Sequence, residues 1–268
     1  MPSAVVNGVK LNFDVYGSGE PVVLIAGSAT MGRTWTPHQV PALTAAGYQT
    51  ITIDNRGIPP SDTPAQGFTI DDMAADTLGL IEFLGIAPCR LVGFSLGAMI
   101  AQELLLLAQS GQITQAVLMA TRGRTDALRA AMTAADLELT SSEIELPPGY
   151  AAVVHATQFL SPRTLNDDQQ VRDWLDVFEL SLPGSAATRA HQGIAVTGNR
   201  LEDYRKIITR CLVIGFLHDL IAPPHLCREL ADYIPDCKYE EVADCGHYGY
   251  LEEPHTVNKL IISFFQGN

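Results

Sequence analysis

The run Gly93-Phe94-Ser95-Leu96-Gly97 joins an apolar, strand-like stretch, Cys89 to Phe94, to a helical pattern beginning at Leu96. A chain that must pass from strand to helix within so few residues has few architectures open to it. A turn this sharp strains its central residue, and the flanking glycines remove the Cβ atoms that would clash with neighbouring elements. It lifts the Ser95 hydroxyl above the strand end. It also aims the Leu96 backbone N–H, at a helix N-terminus, toward the same space. Ser95 is thus the candidate nucleophile. The competing reading is a Gly-rich turn in which Ser95 merely caps a helix.

The surrounding pattern places that turn in a sheet. Pro21 to Ala26, Tyr48 to Asp54, Cys89 to Phe94, Ile113 to Ala120 and Cys211 to Phe216 are short, nearly continuous apolar runs. Such runs are expected where a parallel sheet is covered on both faces. Ile70 to Leu84, Leu96 to Gln109, Ala222 to Tyr233 and Pro254 to Phe265 carry helical periodicity between or after them. The repeating order predicts an α/β, doubly wound, mostly parallel sheet flanked by helices. At the N-terminus, Asn7-Gly8 sits between alternating residues of Ala4 to Tyr16 and predicts an antiparallel hairpin. From about Thr125 to Thr209 no strand of the parallel type is read, and Leu146-Pro147-Pro148-Gly149 and Leu182-Pro183-Gly184 divide the helical patterns. This predicts one domain over residues 1–268, with a helical cap at about 125–209 between the sixth and seventh strands.

A serine hydroxyl needs a base, and the base needs an orienting carboxylate. Of seven histidines, His247 follows the strand-like Tyr239 to Val242 and precedes the last helix. A loop there returns over the strand that carries Ser95. His38, His155, His191 and His255 fall in helical or cap-like stretches and read as surface or packing residues, while His225 starts a helix. Asp219 follows Cys211 to Phe216 and completes the order Ser95, Asp219, His247. Asp126, on the loop after the preceding strand, is its rival. For the second oxyanion donor beside Leu96, the turn Gly27-Ser28-Ala29 offers the N–H of Ser28 or of Ala29.

Composition narrows the partners. With 47% hydrophobic and 18% charged residues, the chain suits a globular enzyme with a substantial core. A formal net charge of −13 argues against nucleic acid and anionic membrane surfaces. No signal sequence or membrane-length apolar run is read, and five cysteines without paired spacing suit reduced thiols, so a cytoplasmic location is expected. Cys245 is the thiol to watch, being next but one to His247. No metal-ligand spacing is found, and neither a metal nor a cofactor is expected. The expected partner is a small acyl substrate, and a homo-oligomer is left open.

Gly93 to Gly97, the loop Asp54-Asn55-Arg56-Gly57, the Asp219 loop and Gly246-His247 together resemble the α/β-hydrolase superfamily over nearly the whole chain. Gly32 to Trp35, His38 to Pro41 and Leu118 to Arg124 add a narrower likeness to its cofactor-free haloperoxidase or perhydrolase branch. The resemblance implies an α/β-hydrolase fold with a Ser-His-Asp triad. Ala26-Gly27 stands where the family usually has His-Gly, and Ile58-Pro59-Pro60-Ser61 departs from its usual Gly-x-Gly-x-Ser. Both departures bear on pocket shape and substrate rather than on the triad. Three functions follow as expectations: hydrolysis of an uncharged ester, thioester or lactone; perhydrolysis by the same triad; or a non-hydrolytic receptor on this fold. An epoxide hydrolase or haloalkane dehalogenase of this fold would need Asp at position 95.

Overall fold

A computed structural model describes residues 2–142, 144–180, 191, 194 and 198–267. The first two strands, β1 (Ser3–Val6) and β2 (Val9–Tyr16), form the expected hairpin. Its turn residues Asn7 and Gly8 take φ of 48° and 77°, the left-handed pair that matches the twist of a two-residue hairpin. There follow β3 (Glu20–Ile25), α1 (Gln39–Ala45), β4 (Tyr48–Asp54), α2 (Ile70–Leu84), β5 (Cys89–Phe94), α3 (Leu96–Leu107) and β6 (Ile113–Met119). Helices α4 (Ala127–Ser141), α5 (Pro148–Phe159), α6 (Pro162–Leu165), α7 (Asp168–Leu180) and α8 (Leu201–Tyr204) lie between β6 and β7 (Arg210–Phe216). The chain ends with α9 (Pro224–Tyr233), β8 (Cys237–Val242), α10 (Gly249–Glu252) and α11 (Pro254–Phe265).

The eight strands form one sheet in the order β1-β2-β4-β3-β5-β6-β7-β8. β2 pairs antiparallel with β1 and β4, and all later pairings are parallel. On one face α2, α3 and α9 bury residues such as Met73, Leu104 and Leu230 against the sheet. On the other, α1 and α11 contribute Leu43, Val257 and Ile261. Central strands wedged between two helical layers must be apolar on both sides, which is why their sequences run without alternation. The edge strand β8, Cys-Lys-Tyr-Glu-Glu-Val, alternates instead, and its outer face is exposed.

Element ends differ from expectation by one or two residues, each for a local reason. β6 stops at Met119 because Ala120 turns to φ 51°. α3 ends at Leu107 because Ala108 is extended, with ψ 142°. α9 begins at Pro224, a residue preorganised for a first helical turn. The Leu182-Pro183-Gly184 division lies outside the described residues. Among the described residues between β6 and β7 the only strand-like pairing is a single bridge, Arg124 to Asn199. Among the described residues no helix is long and apolar enough to cross a membrane.

Candidate active site

The end of β5 is held by its neighbours before any side chain is considered. Phe94 pairs with Met119 of β6, and the Ser95 N–H donates to the Met119 carbonyl at 2.9 Å. Ser95 takes φ 53° and ψ −118°, a conformation costly for a residue with a Cβ. Gly97 pays for this turn with contact: a Cβ there would lie 2.1 Å from the Ile25 carbonyl oxygen, so α3 can start against β3 only without a side chain. Although Ser95 occupies the cap position of α3, its hydroxyl makes no cap hydrogen bond. The ordinary-cap reading therefore fails. The hydroxyl donates instead to His247 Nε2 at 3.0 Å.

His247 Nδ1 lies 2.8 Å from Asp219 Oδ2. A carboxylate only accepts, so Nδ1 carries the proton and Nε2 is the free acceptor facing Ser95. Asp219 Oδ1 accepts from the N–H groups of Ile221 and Ala222 at 2.7 and 2.8 Å, which fixes the carboxylate. Both Asp219 and His247 are 2% exposed, so water competes little for these bonds. The structure thus brings Ser95, His247 and Asp219 together. It does not bring Asp126: that side chain caps α4 by accepting from the Arg129 N–H at 2.8 Å and lies 3.7 Å from His225.

The loop carrying His247 is clasped to the helices above the sheet. Glu252 Oε2 accepts from the Gly246 N–H at 2.6 Å, and Oε1 accepts from Ser161 N–H, Ser161 Oγ and Thr164 Oγ1. Gly246 packs so closely on this segment that a Cβ would lie 2.6 Å from the Phe159 carbonyl oxygen. Rings surround the base: Phe94 and Phe159 lie 5.0 and 5.4 Å from the His247 ring, and Tyr248 stacks on Trp174 at 5.7 Å. Burial pushes the Tyr248 phenol up to about 12, so it remains a neutral donor. Cys245 is also buried, and burial raises its thiol to about 12, leaving it protonated and poorly nucleophilic. Of the large apolar side chains between β6 and β7, Phe159, Leu160, Trp174 and Phe178 pack here. Leu137 and Leu139 are exposed, and Met132 lies against Arg129.

Leu96 opens α3, so its N–H has no intrahelical acceptor. Across from it, the two candidate second donors separate. The Ala29 N–H already donates to His191 Nδ1 at 3.1 Å. Ser28 N–H has no acceptor among the described residues and is the donor left free. His191 is the residue that sequence reasoning missed. It is 3% exposed rather than superficial, and its Nε2–H donates to the Arg56 carbonyl at 2.7 Å. Burial depresses its basicity, which keeps the ring neutral as this donor–acceptor pattern requires. Arg56 itself is engaged by Asp76 through two 2.6 Å bonds, a structural role. A cleft of about 760 Å³ opens between the β1–β2 turn and the Asp62 to Gly67 loop, but it contains none of the triad. Among the described residues no group of three or more His, Cys, Asp or Glu could hold a metal ion.

Residues 22–260 match the family model described as the alpha/beta hydrolase family. The chain belongs to the α/β-hydrolase family. As an α/β-hydrolase it is similar to BpoC of Mycobacterium tuberculosis, whose name places it with the non-heme bromoperoxidases. The two are 47% identical over 258 residues, covering 96% of this chain and 98% of BpoC. The crystal structure of BpoC superposes with a TM-score of 0.93 at 46% identity, over 98% of this chain and 97% of that one. Rhodomycin D methylesterase DnrP of Streptomyces peucetius is 27% identical, over 92% of each chain. An enol-lactonase of Burkholderia xenovorans shares the α/β-hydrolase fold, with a TM-score of 0.83 at 24% identity, over 99% of this chain and 100% of the other.

Proposed function

We propose that this α/β-hydrolase is a serine hydrolase that cleaves a small carboxylic ester, thioester or lactone through an acyl-enzyme. The observation that carries the reading is a continuous relay from an uncapped hydroxyl: Ser95 Oγ to His247 Nε2 at 3.0 Å, and His247 Nδ1 to Asp219 at 2.8 Å. In this reading Ser95 Oγ attacks the carbonyl carbon while His247 takes its proton, and the imidazolium is stabilised by Asp219. The N–H groups of Leu96 and Ser28 receive the oxyanion, a contribution of roughly 10² to 10³ in rate for one such donor. His247 then protonates the departing oxygen or sulfur. Water, deprotonated by His247, attacks the acyl-enzyme, and the acid leaves as Ser95 regains its proton. The helices between β6 and β7 act as the cap that shapes the acyl pocket, an insertion within one domain. Five free cysteines suit a reducing compartment such as the cytoplasm.

A fluorophosphonate probe should label wild-type protein at Ser95, located by peptide mass spectrometry. Ser95→Ala should abolish labelling and lower turnover by roughly 10⁴ to 10⁶. A wild-type protein that resists the probe would overturn the acyl-enzyme, and tight ligand binding without turnover would then favour a receptor. The likeness to BpoC supports a second reading, perhydrolysis. Hydrogen peroxide would replace water in the second step, so the acyl group leaves as a peracid that oxidises halide. Comparing ester hydrolysis with peroxide-dependent halide oxidation on one preparation separates the two.

A further inference from the structure

Arg122 lies three residues beyond Met119, at the same end of the sheet as Ser95. It is 4% exposed, and its carbonyl is tied down by Gln102 Nε2 at 3.2 Å. Its guanidinium differs from those of four other arginines of the fold. Arg56 is paired with Asp76, Arg90 with Glu20, Arg124 with Glu229 and Arg200 with Glu103. Among the described residues Arg122 has no carboxylate within 4.0 Å and no hydrogen-bond acceptor for any guanidinium nitrogen, and its Nε is fully buried without a partner. Only Nε is buried to that degree; its two terminal nitrogens keep some accessible surface. Burial moves it down to about 10, which leaves it cationic at neutral pH.

The neighbours sharpen the anomaly. Arg129, in the first turn of α4, bears on Arg122 as a like charge. The acids whose fields reach Arg122 are Asp126 and Asp219, and both are already engaged. Asp126 caps α4, and Asp219 holds His247 and two backbone N–H groups. Arg129 has Asp136 at 3.7 Å, whereas Arg122 is a buried guanidinium without a partner, a site short of an anion. A planar fork matches a carboxylate, which can take two parallel N–H donors. Phosphate is disfavoured, because two nearby aspartates and the overall charge of −13 penalise a dianion more than a monoanion.

We infer that Arg122 receives a carboxylate at the non-reacting end of the substrate, which makes the substrate a carboxylate-bearing ester, thioester or lactone, such as the half-ester of a dicarboxylic acid. This rests on the serine hydrolase reading for the reacting end. It narrows the expectation of an uncharged substrate to an uncharged scissile group. Hydrolysis of such a half-ester consumes one water and yields the dicarboxylate and the alcohol.

The test pairs methyl esters of matched length, monomethyl succinate against methyl butyrate, on the full chain. Wild-type kcat/KM should favour the charged ester by about 10- to 100-fold, the scale of one charge-assisted hydrogen-bonded contact. Arg122→Met should erase that preference, and Arg122→Lys should keep part of it with a raised KM for the charged ester. Equal use of both esters by the wild type, or a preference that survives Arg122→Met, overturns the inference. If Arg122→Met fails to fold, the wild-type ratio and the lysine variant decide. Calorimetry with Ser95→Ala keeps the two readings apart. Succinate binding that Arg122→Lys weakens supports the anion site even if no ester is turned over, and in that case only the hydrolase reading falls. Inorganic phosphate binding more tightly than succinate overturns the carboxylate assignment.

Discussion

At the scale of single residues, the site depends on side chains whose freedom has been removed. Ser95 is released from capping, Asp219 is pinned by two N–H groups, and His247 is left with one tautomer. His191 extends this logic to the oxyanion turn, because its neutral ring accepts from Ala29 and donates to Arg56. Burial holds its pKa below the ordinary 6.5, so the unfolded chain takes up a proton more readily than the folded one. Its contribution to stability is complete above about pH 6.5 and is lost as pH falls from there toward the depressed folded value. Thermal unfolding followed from pH 8 to 5 should therefore show a decline for wild type that is shallower in His191→Asn. His155 is also held low by burial but is common to both proteins, so the difference isolates His191. None of this was legible in the sequence. His191 meets Ala29 across 162 positions of chain, and its setting, like the unpaired state of Arg122, exists only after folding.

At the scale of elements, much more could be read directly. The Asn7-Gly8 turn, the capping box of Thr69 and Asp72 at the start of α2, and Gly85 at its end are local chemistry written in adjacent residues. α2 and α11 therefore occupy the spans their periodicity predicts, Ile70–Leu84 and Pro254–Phe265. Where ends shifted, as at Ala120 and Ala108, a single backbone dihedral decided, and neither alanine advertises it. The strand–helix junction at Ser95 is legible for the opposite reason: its glycines are demanded by contact. Gly97→Ala would drive a Cβ into the β3 backbone, which cannot yield as a flexible side chain can. The expected loss is about 3 kcal/mol or more, read from urea denaturation midpoints.

At the scale of the whole molecule, one carboxylate joins the sheet to the helices above it. Glu252 accepts from Gly246 on the His247 loop and from Ser161 and Thr164 at the α5–α6 junction. Glu252→Ala removes every one of these acceptors at once and leaves the donors to find water. The expected result is a loss of about 2 kcal/mol in chemical unfolding. It should be accompanied by faster limited proteolysis between α4 and α5 and a raised KM, as the cap loosens over the base. A variant with unchanged proteolysis and unchanged KM would show that Glu252 does not hold the cap in place.

The sequence by itself determined the strand–helix alternation, the hairpin and the turn at Ser95, and it put His247 and two competing acids, Asp219 and Asp126, after sheet strands. These rest on local sterics and on side-chain periodicity, which neighbouring residues state in full. Only the tertiary structure decided which acid meets His247, which N–H beside Gly27 stays free, and that Arg122 is buried without an ion-pair partner among the described residues. Each of these is a question of which groups from distant segments arrive in a space that water has left. Burial and pairing of that kind are properties of the packed whole.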